Sequence, residues 1–244
     1  MKTRSFRCLL IAAAFFSCAA FVSFRADAAP ETGSKYKNHR YIAITFDDGP
    51  HENMTPMLLE KLEELQVRAS FFLVGAMAEK NPSLVRAIYE QGHTVANHSY
   101  FHRNCKVMDQ DELSEDLVRC SAVLENLINA PVRFFRPPGG NYNSETLQTV
   151  KKSGLKTVLW DINSRDYTGA SAEFITRRVM RHASPGSIIL FHSGVKRTVD
   201  VLPELIAKLR KNGFEFVTLD EMFPRPSLSN TRFPPGIPVA QKGR

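Results

Sequence analysis

Short apolar runs rich in β-branched and aromatic residues alternate along this chain with longer segments in which apolar residues recur at helical spacing. The short runs predict seven strands, at 41–46, 70–74, 93–97, 133–135, 157–160, 187–191 and 215–218. The longer segments predict helices near 55–66, 82–91, 109–129, 143–153, 171–183 and 200–211. This alternation is typical of a parallel α/β fold. The pattern alone is compatible both with a closed barrel and with an open sheet.

Residues that commonly begin and end helices support these boundaries. Pro82 suits a first helical turn, and Asp109 with Glu112 resembles a capping box at the start of the longest helix. Gly92 and Gly154 directly follow predicted helices, at the position where a left-handed residue often ends one. The helices are therefore expected to begin and end close to the limits that the apolar pattern gives.

One domain is predicted between residues 41 and 223, because neither an internal repeat nor a linker interrupts that part of the sequence. Of the 244 residues, 43% are hydrophobic and 23% are charged, which is ordinary for a globular protein with a sizeable core. A polar segment at 29–40 precedes the domain, and a Pro-rich tail at 224–244, expected to be disordered, follows it. The net charge of +7 comes with no dense stripe of Lys and Arg, so nucleic acid is not an expected partner. We expect a monomer.

The first 28 residues have the pattern of a secretory signal peptide. Basic residues precede an apolar run over 8–24, and Ala26-Asp27-Ala28 is a small-x-small cleavage site. We therefore expect cleavage after Ala28 and export to the periplasm or the cell exterior, without stable membrane insertion of the mature chain. The alternative is an uncleaved membrane anchor, because the apolar run is long for a signal peptide.

Two cysteines remain after such cleavage, Cys105 and Cys120. An oxidising compartment permits a disulfide between them, worth about 3 kcal/mol in the chain-entropy model. Alternatively, Cys120 is a buried helix residue, because it falls on one apolar stripe with Leu117 and Leu124. Both interpretations stay open, since only the geometry of the pair decides between them.

Chemically reactive side chains collect where the predicted strands end. In chain order they are Asp47, Asp48, His98, His102, Arg136, Asp161, Asp166 and His192. In parallel α/β proteins the carboxyl ends of the strands form the face that carries the active site. We therefore expect these side chains to meet in one site.

A metal site is the first function that this set suggests. His98 and His102 form an H-x-x-x-H pair, a spacing at which two imidazoles can bind one ion. The pair alone is weak evidence, but Asp48 adds a carboxylate from another strand. Two His and one Asp leave coordination positions open for water and substrate, as a catalytic Zn²⁺ site requires.

The adjacent Asp47 suggests proton transfer. Neighbours on an extended chain point in opposite directions, so Asp47 can stay free as a general base while Asp48 binds metal. The alternative is that 47–50 is an ordinary Asp-Asp-Gly-Pro surface turn.

Three further residues are candidates for proton transfer or for its support. His192 ends an apolar strand on the reactive face, which favours a general acid over a buried structural histidine. Arg136 is predicted to pair with a carboxylate and keep it ionised, the alternative being an ordinary salt bridge. Asp166 either orients His192 and tunes its pKa or is a solvated loop acid. Three other histidines are interpreted as structural or surface residues: His51, His93 and His182.

Five stretches resemble, in order, the five motifs of the polysaccharide deacetylase proteins (NodB homology, carbohydrate esterase family 4). They are Thr45–Pro50, His98–His102, Arg136–Gly140, Asp161–Tyr167 and Leu190–His192. The resemblance implies a distorted (β/α)7 barrel in a single catalytic domain, with a divalent metal that is most often Zn²⁺ and sometimes Co²⁺ or Ni²⁺. It also implies an N-acetylated glycan as substrate, with hydrolysis of acetyl groups on the N-acetylglucosamine units of peptidoglycan or a chitin-like polymer.

The resemblance implies a role for each reactive residue: metal ligands Asp48, His98 and His102, catalytic base Asp47 with its partner Arg136, and catalytic acid His192 with its partner Asp166. The backbone N–H of Gly139 is implied to hold the oxyanion. Substrate-binding positions are expected at Tyr142, Tyr167 and Leu190, whereas Trp160 is expected in the core.

Two positions depart from the common pattern of the family. Gly139 stands where an aromatic residue often follows Arg-Pro-Pro, and Tyr167 stands where Trp often ends the fourth motif. Both positions line the sugar groove, so the substrate stays open between N-acetylglucosamine polymers and the O-acetylated xylan of an acetylxylan esterase. A third interpretation is a catalytically silent carbohydrate-binding protein, which the presence of Asp47 and His192 disfavours.

Overall fold

A curled, all-parallel β-sheet with helices on its outer face forms the fold of residues 40–224, which are the residues that the computed structural model describes. The predicted signal peptide at 1–28, the polar segment up to residue 39 and the tail from residue 225 lie outside the described residues. Within 40–224, none of the helices combines the length and apolar character that crossing a membrane requires.

The described chain contains eight strands and eight α-helices, which alternate except where α3 follows α2 and β6 follows β5. The strands are β1 Tyr41–Gly49, β2 Ser70–Leu73, β3 Thr94–Asn97, β4 Phe134–Phe135, β5 Lys156–Thr157, β6 Ile162–Asn163, β7 Ile188–His192 and β8 Glu215–Phe216. The helices are α1 Met54–Glu64, α2 Gly75–Lys80, α3 Pro82–Glu90, α4 Gln110–Ile128, α5 Ser144–Lys152, α6 Ala172–His182, α7 Lys196–Lys211 and α8 Leu219–Met222.

The strand order is β5-β4-β3-β2-β1-β7-β6, and β8 pairs with the first residues of β1. Among the described residues no ladder joins β5 to β6, so the sheet curls without closing completely. This is the distorted barrel that the family resemblance implies, and the prediction of fold class is confirmed.

Successive residues of each strand point alternately to an outer and an inner apolar cluster. On β1, Ile42, Ile44 and Phe46 pack against the helices in the outer cluster, whereas Ala43 belongs to the inner one. By the same alternation, the side chain of Asp47 points into the barrel. The period of two therefore places a carboxylate at the carboxyl end of the barrel interior.

Helix α8 covers the opposite, amino end of the strands. Leu219 and Met222 belong to the inner apolar cluster, and Asp220 accepts a hydrogen bond from Thr94 at the start of β3. Arg133, just before β4, forms an ion pair with Asp220 at 2.6 Å. The barrel interior is thus filled from this side, and its open mouth lies at the carboxyl ends of the strands.

The predicted helix signals are confirmed where they were local. Asp109 and Glu112 form a reciprocal capping box at the start of α4. Gly92 and Gly154 have φ angles of 80° and 76°, which is the left-handed conformation expected after a helix. The sequence pattern missed α2, α8 and β6, because each is too short to show a periodicity of its own.

Cys105 and Cys120 are free, buried thiols, so the disulfide alternative is wrong. The Cys105 Sγ lies 3.6 Å from the carbonyl oxygen of Arg103, and the Cys120 Sγ lies 3.7 Å from that of Leu73. Each thiol is directed at its own carbonyl, and Cys120 packs in the outer core as the apolar stripe of α4 predicts. Burial raises the pKa of both thiols, which keeps them protonated.

Candidate active site

Asp48, His98 and His102 each bring one donor atom to within 4.8 Å of the others, the one such group of three found in residues 40–224. The Oδ1 atom of Asp48 lies 3.0 Å from His102 Nε2 and 3.3 Å from His98 Nε2. Donor atoms bound tetrahedrally to zinc at about 2.0–2.1 Å lie roughly 3.3 Å apart. The donor set and its spacing therefore fit a divalent cation.

Left-handed backbone conformations direct these ligands. Asp48 has φ 72°, which turns its side chain out of the strand alternation, and His102 has φ 56°. The loop between the two histidines is held by side-chain oxygens that accept hydrogen bonds from its backbone. Asn97 Oδ1 accepts the N–H of Ser99 at 2.7 Å, and Ser99 Oγ accepts the N–H of His102 at 3.0 Å. Conformations of this kind cost energy and are retained where the surrounding structure requires them.

His98 is fixed in one tautomer by the chain that follows β4. Its Nδ1 lies 2.8 Å from the backbone carbonyl oxygen of Arg136, which can only accept a hydrogen bond. Nδ1 therefore carries the proton, and the lone pair of Nε2 is directed towards Asp48. A carbonyl partner of this kind is the usual support of a metal-binding imidazole.

Arg136 is fully buried and holds the carboxylate of Asp47. Its Nη1 donates to Asp47 Oδ1 at 2.7 Å and to Thr45 Oγ1 at 2.8 Å. Its Nε and Nη2 donate to the carbonyls of Val158 and Leu159 at 3.1 and 3.0 Å. Burial lowers the pKa of the guanidinium, and the charge of Asp47 opposes that effect. Asp47 Oδ2 is not engaged by this partner and faces His98 Nε2 at 3.7 Å.

Asp166 forms hydrogen bonds with His192, which agrees with the interpretation that it orients this ring and not with that of a solvated loop acid. Its Oδ1 accepts from His192 Nδ1 and its Oδ2 from the His192 backbone N–H, both at 2.8 Å. Thr198 Oγ1 on α7 also donates to Oδ2, at 2.5 Å, and Ser164 Oγ donates to Oδ1 at 3.1 Å. These donors together favour the ionised carboxylate.

The pKa values of the site follow from these contacts. Burial alone would lower the pKa of His192, but the hydrogen bond and the charge of Asp166 outweigh it and raise that pKa. Burial would likewise raise the pKa of Asp48, yet the hydrogen bond of His102 and the charge of His192 lower it. The hydrogen bond with Asp48 in turn raises the pKa of His102. The contacts of the site thus favour the charged form of His192 and the ionised form of Asp48.

The two halves of the site meet across one strand pair. Strands β1 and β7 are parallel and place Asp47 directly opposite His192. A cleft of about 230 Å³ opens above them, lined by Asp47, Asp48, His98, His102, Gly139, Trp160, Asn163, Tyr167, Leu190 and His192. A carboxylate, an imidazole and a cation-binding triad therefore face one cavity.

Of the residues expected to bind substrate, Gly139, Tyr167 and Leu190 line the cleft, and Tyr142 does not. The Tyr167 ring is 54% exposed and packs edge-on against His192, with 4.8 Å between the ring centroids. Trp160, expected in the core alone, packs on the inner cluster and also lines the cleft.

Sequence reasoning missed Asn163 and Thr198, and it misplaced Asp161. The Oδ2 of Asp161 accepts the N–H of Ile188 at 2.8 Å, at the beginning of β7 and away from the cleft. Asn163 lies in β6, which showed no strand pattern, and Thr198 lies in a turn of α7 without any motif.

Comparisons with known proteins agree with this architecture. The sequence model of the family described as polysaccharide deacetylase matches residues 34–158. A peptidoglycan-N-acetylglucosamine deacetylase of Bacillus cereus is 37% identical over 190 residues, which cover 76% of this chain and 69% of that protein. A chitooligosaccharide deacetylase of Azorhizobium caulinodans is 36% identical over 159 residues, covering 65% of this chain and 76% of the relative. The crystal structure of the Bc1960 peptidoglycan N-acetylglucosamine deacetylase superposes with a TM-score of 0.77 at 36% identity, covering 80% of this chain and 92% of that one.

Proposed function

Because this chain belongs to the polysaccharide deacetylase family, we propose that it is a metal-dependent hydrolase that removes acetyl groups from N-acetylglucosamine units of a glycan. Asp48, His98 and His102 would hold the cation, with Zn²⁺ as the first choice and Co²⁺ or Ni²⁺ as alternatives. When bound, such a cation lowers the pKa of water and polarises the acetyl carbonyl. The remaining chemistry falls to side chains of this chain.

Asp47 is the proton acceptor in this proposal. Arg136 holds its Oδ1 in place and leaves Oδ2 available on the side of the metal ligands. A fixed carboxylate beside the attacking water loses little freedom when it takes the proton, which is how a positioned base lowers a barrier. The pairing of Asp47 with Arg136 fixes the position of the base without contributing a metal ligand.

His192 is the proton donor to the departing nitrogen. An amine leaves poorly as an anion, so cleavage of the C–N bond requires a proton at that atom. The Nδ1 proton of His192 is bound by Asp166, so the proton on Nε2 is the one that can be transferred. Because Asp166 raises the pKa of His192, the ring stays charged to higher pH than a free imidazole.

Substrate contacts in this proposal come from the rim of the cleft. The backbone N–H of Gly139 would donate to the oxyanion, as such groups do in other acyl-transfer sites. Tyr167 and Trp160 offer ring surfaces to a sugar, and Leu190 and Asn163 also line the cleft. Tyr142 is not part of this set.

The observation that carries the proposal is the direct pairing of Asp47 and His192 across β1 and β7, beside a complete triad of metal-binding side chains. A protein that only binds glycans needs neither a base held by a buried arginine nor an acid held by a buried aspartate.

The test is acetate release by the zinc-loaded full-length protein from peptidoglycan, from chitooligosaccharides and from acetylated xylan, with mass spectrometry of the products. We expect loss of acetyl groups from peptidoglycan or chitooligosaccharides, and Asp47→Asn as the negative control. Release from xylan alone would show an acetylxylan esterase, and absence of release from all three would show a silent carbohydrate-binding protein.

Export belongs to the same proposal, because polymeric N-acetylglucosamine of a cell wall is located outside the cytoplasm. The basic, then apolar, then small-residue pattern of 1–28 supports it. The amino-terminal sequence of the exported protein should begin at Ala29. An intact Met1 on a membrane-bound protein would instead show the uncleaved anchor.

A further inference from the structure

Beyond Asp47 and His192, the chain segments that leave β1 and β7 pack against each other through two glycines. A Cβ atom at Gly49 would lie 2.7 Å from Ser193 Oγ, and one at Gly194 would lie 2.6 Å from Nε2 of His51. Both separations are below 3.0 Å, a distance that real Cβ atoms essentially never show. Each segment therefore leaves space for a side chain of the other.

His51 is anchored by its backbone, and its ring makes no hydrogen bond at the inner nitrogen. Its N–H donates to Thr55 Oγ1 at 2.8 Å, and its carbonyl accepts from the Thr55 N–H at 2.9 Å, at the start of α1. The Nε2 atom is buried and has no hydrogen-bond partner among residues 40–224. A buried nitrogen without a partner is costly. Packing, and not a hydrogen bond of Nε2, therefore holds the His51 ring in this position.

The peptide after His192 lies between this ring and the first strand. The backbone N–H and the Oγ of Ser193 both donate to the carbonyl oxygen of Asp47, each at 2.9 Å. A Cβ atom at Gly194, the next residue, would also lie 2.8 Å from Cε1 and 3.0 Å from Cδ2 of the His51 ring. Asp166 fixes His192 from the opposite direction.

We propose that His51 is a positioning residue, whose ring against Gly194 sets the distance between the acid His192 and the segment that carries Asp47 and Asp48. This inference rests on the proposed function, because the distance matters for proton transfer. From its sequence context, His51 was interpreted only as a structural or surface residue.

The test is a double-mutant cycle of Gly194→Ala and His51→Ala in the full-length protein, with kcat, KM, zinc content and Tm as readouts. The added methyl of Gly194→Ala must displace the ring or the loop. A misplacement of about 1 Å costs about a hundredfold in rate, so we expect kcat to fall by that order while KM and zinc content change little. His51→Ala alone should lower kcat about threefold, and the double variant should return to within about threefold of His51→Ala, since neighbours in contact couple strongly.

Gly49→Ala is the matched control, because its methyl would meet Ser193 and Leu73 instead of the imidazole. His51→Ala should not restore it. A Gly194→Ala enzyme with wild-type kcat, or a double variant whose losses simply add, would overturn the proposal.

Two outcomes separate this inference from the proposed function. If the wild-type protein releases no acetate, the proposed function fails, and the inference is then decided by Tm, which His51→Ala should restore in the Gly194→Ala background. If Gly194→Ala does not fold, a soluble and active double variant supports the inference, and an insoluble one overturns it.

Discussion

Asp47 and Asp48 are adjacent in the chain, yet they belong to two different environments. Asp47 is 4% exposed and is bonded to an arginine with no exposure at all. The side chain of Asp48 is 37% exposed, and the side chain of its partner His102 is 43% exposed. The carboxylate of Asp47 therefore lies in the barrel interior, whereas that of Asp48 lies at the open mouth of the barrel.

The difference shows how one strand end serves two kinds of chemistry. The proposed proton-transfer half, made by Asp47, Arg136, Asp166 and His192, is held in place by hydrogen bonds within the protein. The proposed metal half presents its donor atoms to solvent, where a cation can reach them. We therefore expect substitutions in the metal half to change metal content, and those in the proton-transfer half to change rates while metal stays bound.

The largest effect is expected from His102→Ala. It leaves two ligands from the chain, so bound metal should be lost and activity should fall below detection in metal-free buffer. Metal analysis and acetate release measure both. His182→Ala is the control, because that exposed imidazole bonds the Arg178 carbonyl far from the cleft. Normal metal content in His102→Ala would remove His102 from the triad.

Asp47→Asn should lower kcat on the order of 10³–10⁴-fold while metal content stays at the wild-type level. The amide keeps the shape of the side chain but cannot take a proton. Asp48→Asn, one residue further, is the comparison variant and should lose metal as well as activity. Appreciable turnover by Asp47→Asn would show that another group is the base.

Asp166→Asn should lower kcat by about 10²-fold, with metal retained, because His192 loses both orientation and charge support. Since Asp166 raises the pKa of His192, its neutralisation lowers that pKa, and the ring then loses its proton at lower pH. The alkaline limb of the kcat–pH profile should therefore move to lower pH. An unchanged alkaline limb would show that Asp166 does not set the pKa of the proton donor.

Thr198→Val should have the smallest effect, a roughly fivefold loss of kcat, as expected for one hydrogen bond of about 1 kcal/mol. Its Oγ1 donates to Asp166 Oδ2, but that carboxylate keeps its other donors. The alkaline limb should stay close to its wild-type position, unlike in Asp166→Asn, because Asp166 keeps its charge and its hydrogen bond to His192 Nδ1. Thr168→Val is the control, since the Thr168 hydroxyl donates to the carbonyl oxygen of Arg165 and not to Asp166.

The site was predictable where one chain segment determines it. The period of two along β1 and the spacing of His98 and His102 are local, and parallel strands bring their ends together without further information. Neither required knowledge of side-chain packing.

Features that depend on packing between segments were not predictable. The predicted strand at 157–160 ends as β5 at Thr157, because Arg136 takes the carbonyls of Val158 and Leu159 that a longer strand would pair. Trp160 rather than Tyr142 reaches the cleft, because Gly140 leaves space for its ring, with 2.8 Å from a Cβ position to the indole. The choice between a disulfide and a buried Cys120 stayed open for the same reason, since it depends on where α4 meets β2.

Arg136 serves both halves of the site, but with different atoms. Its guanidinium binds Asp47, whereas its backbone carbonyl binds His98 and would remain after any substitution of the side chain. The two functions can therefore be lost separately in the course of evolution. A lineage of this architecture that loses its base keeps an intact metal-binding mouth, so a glycan-recognising protein without turnover lies a single substitution away.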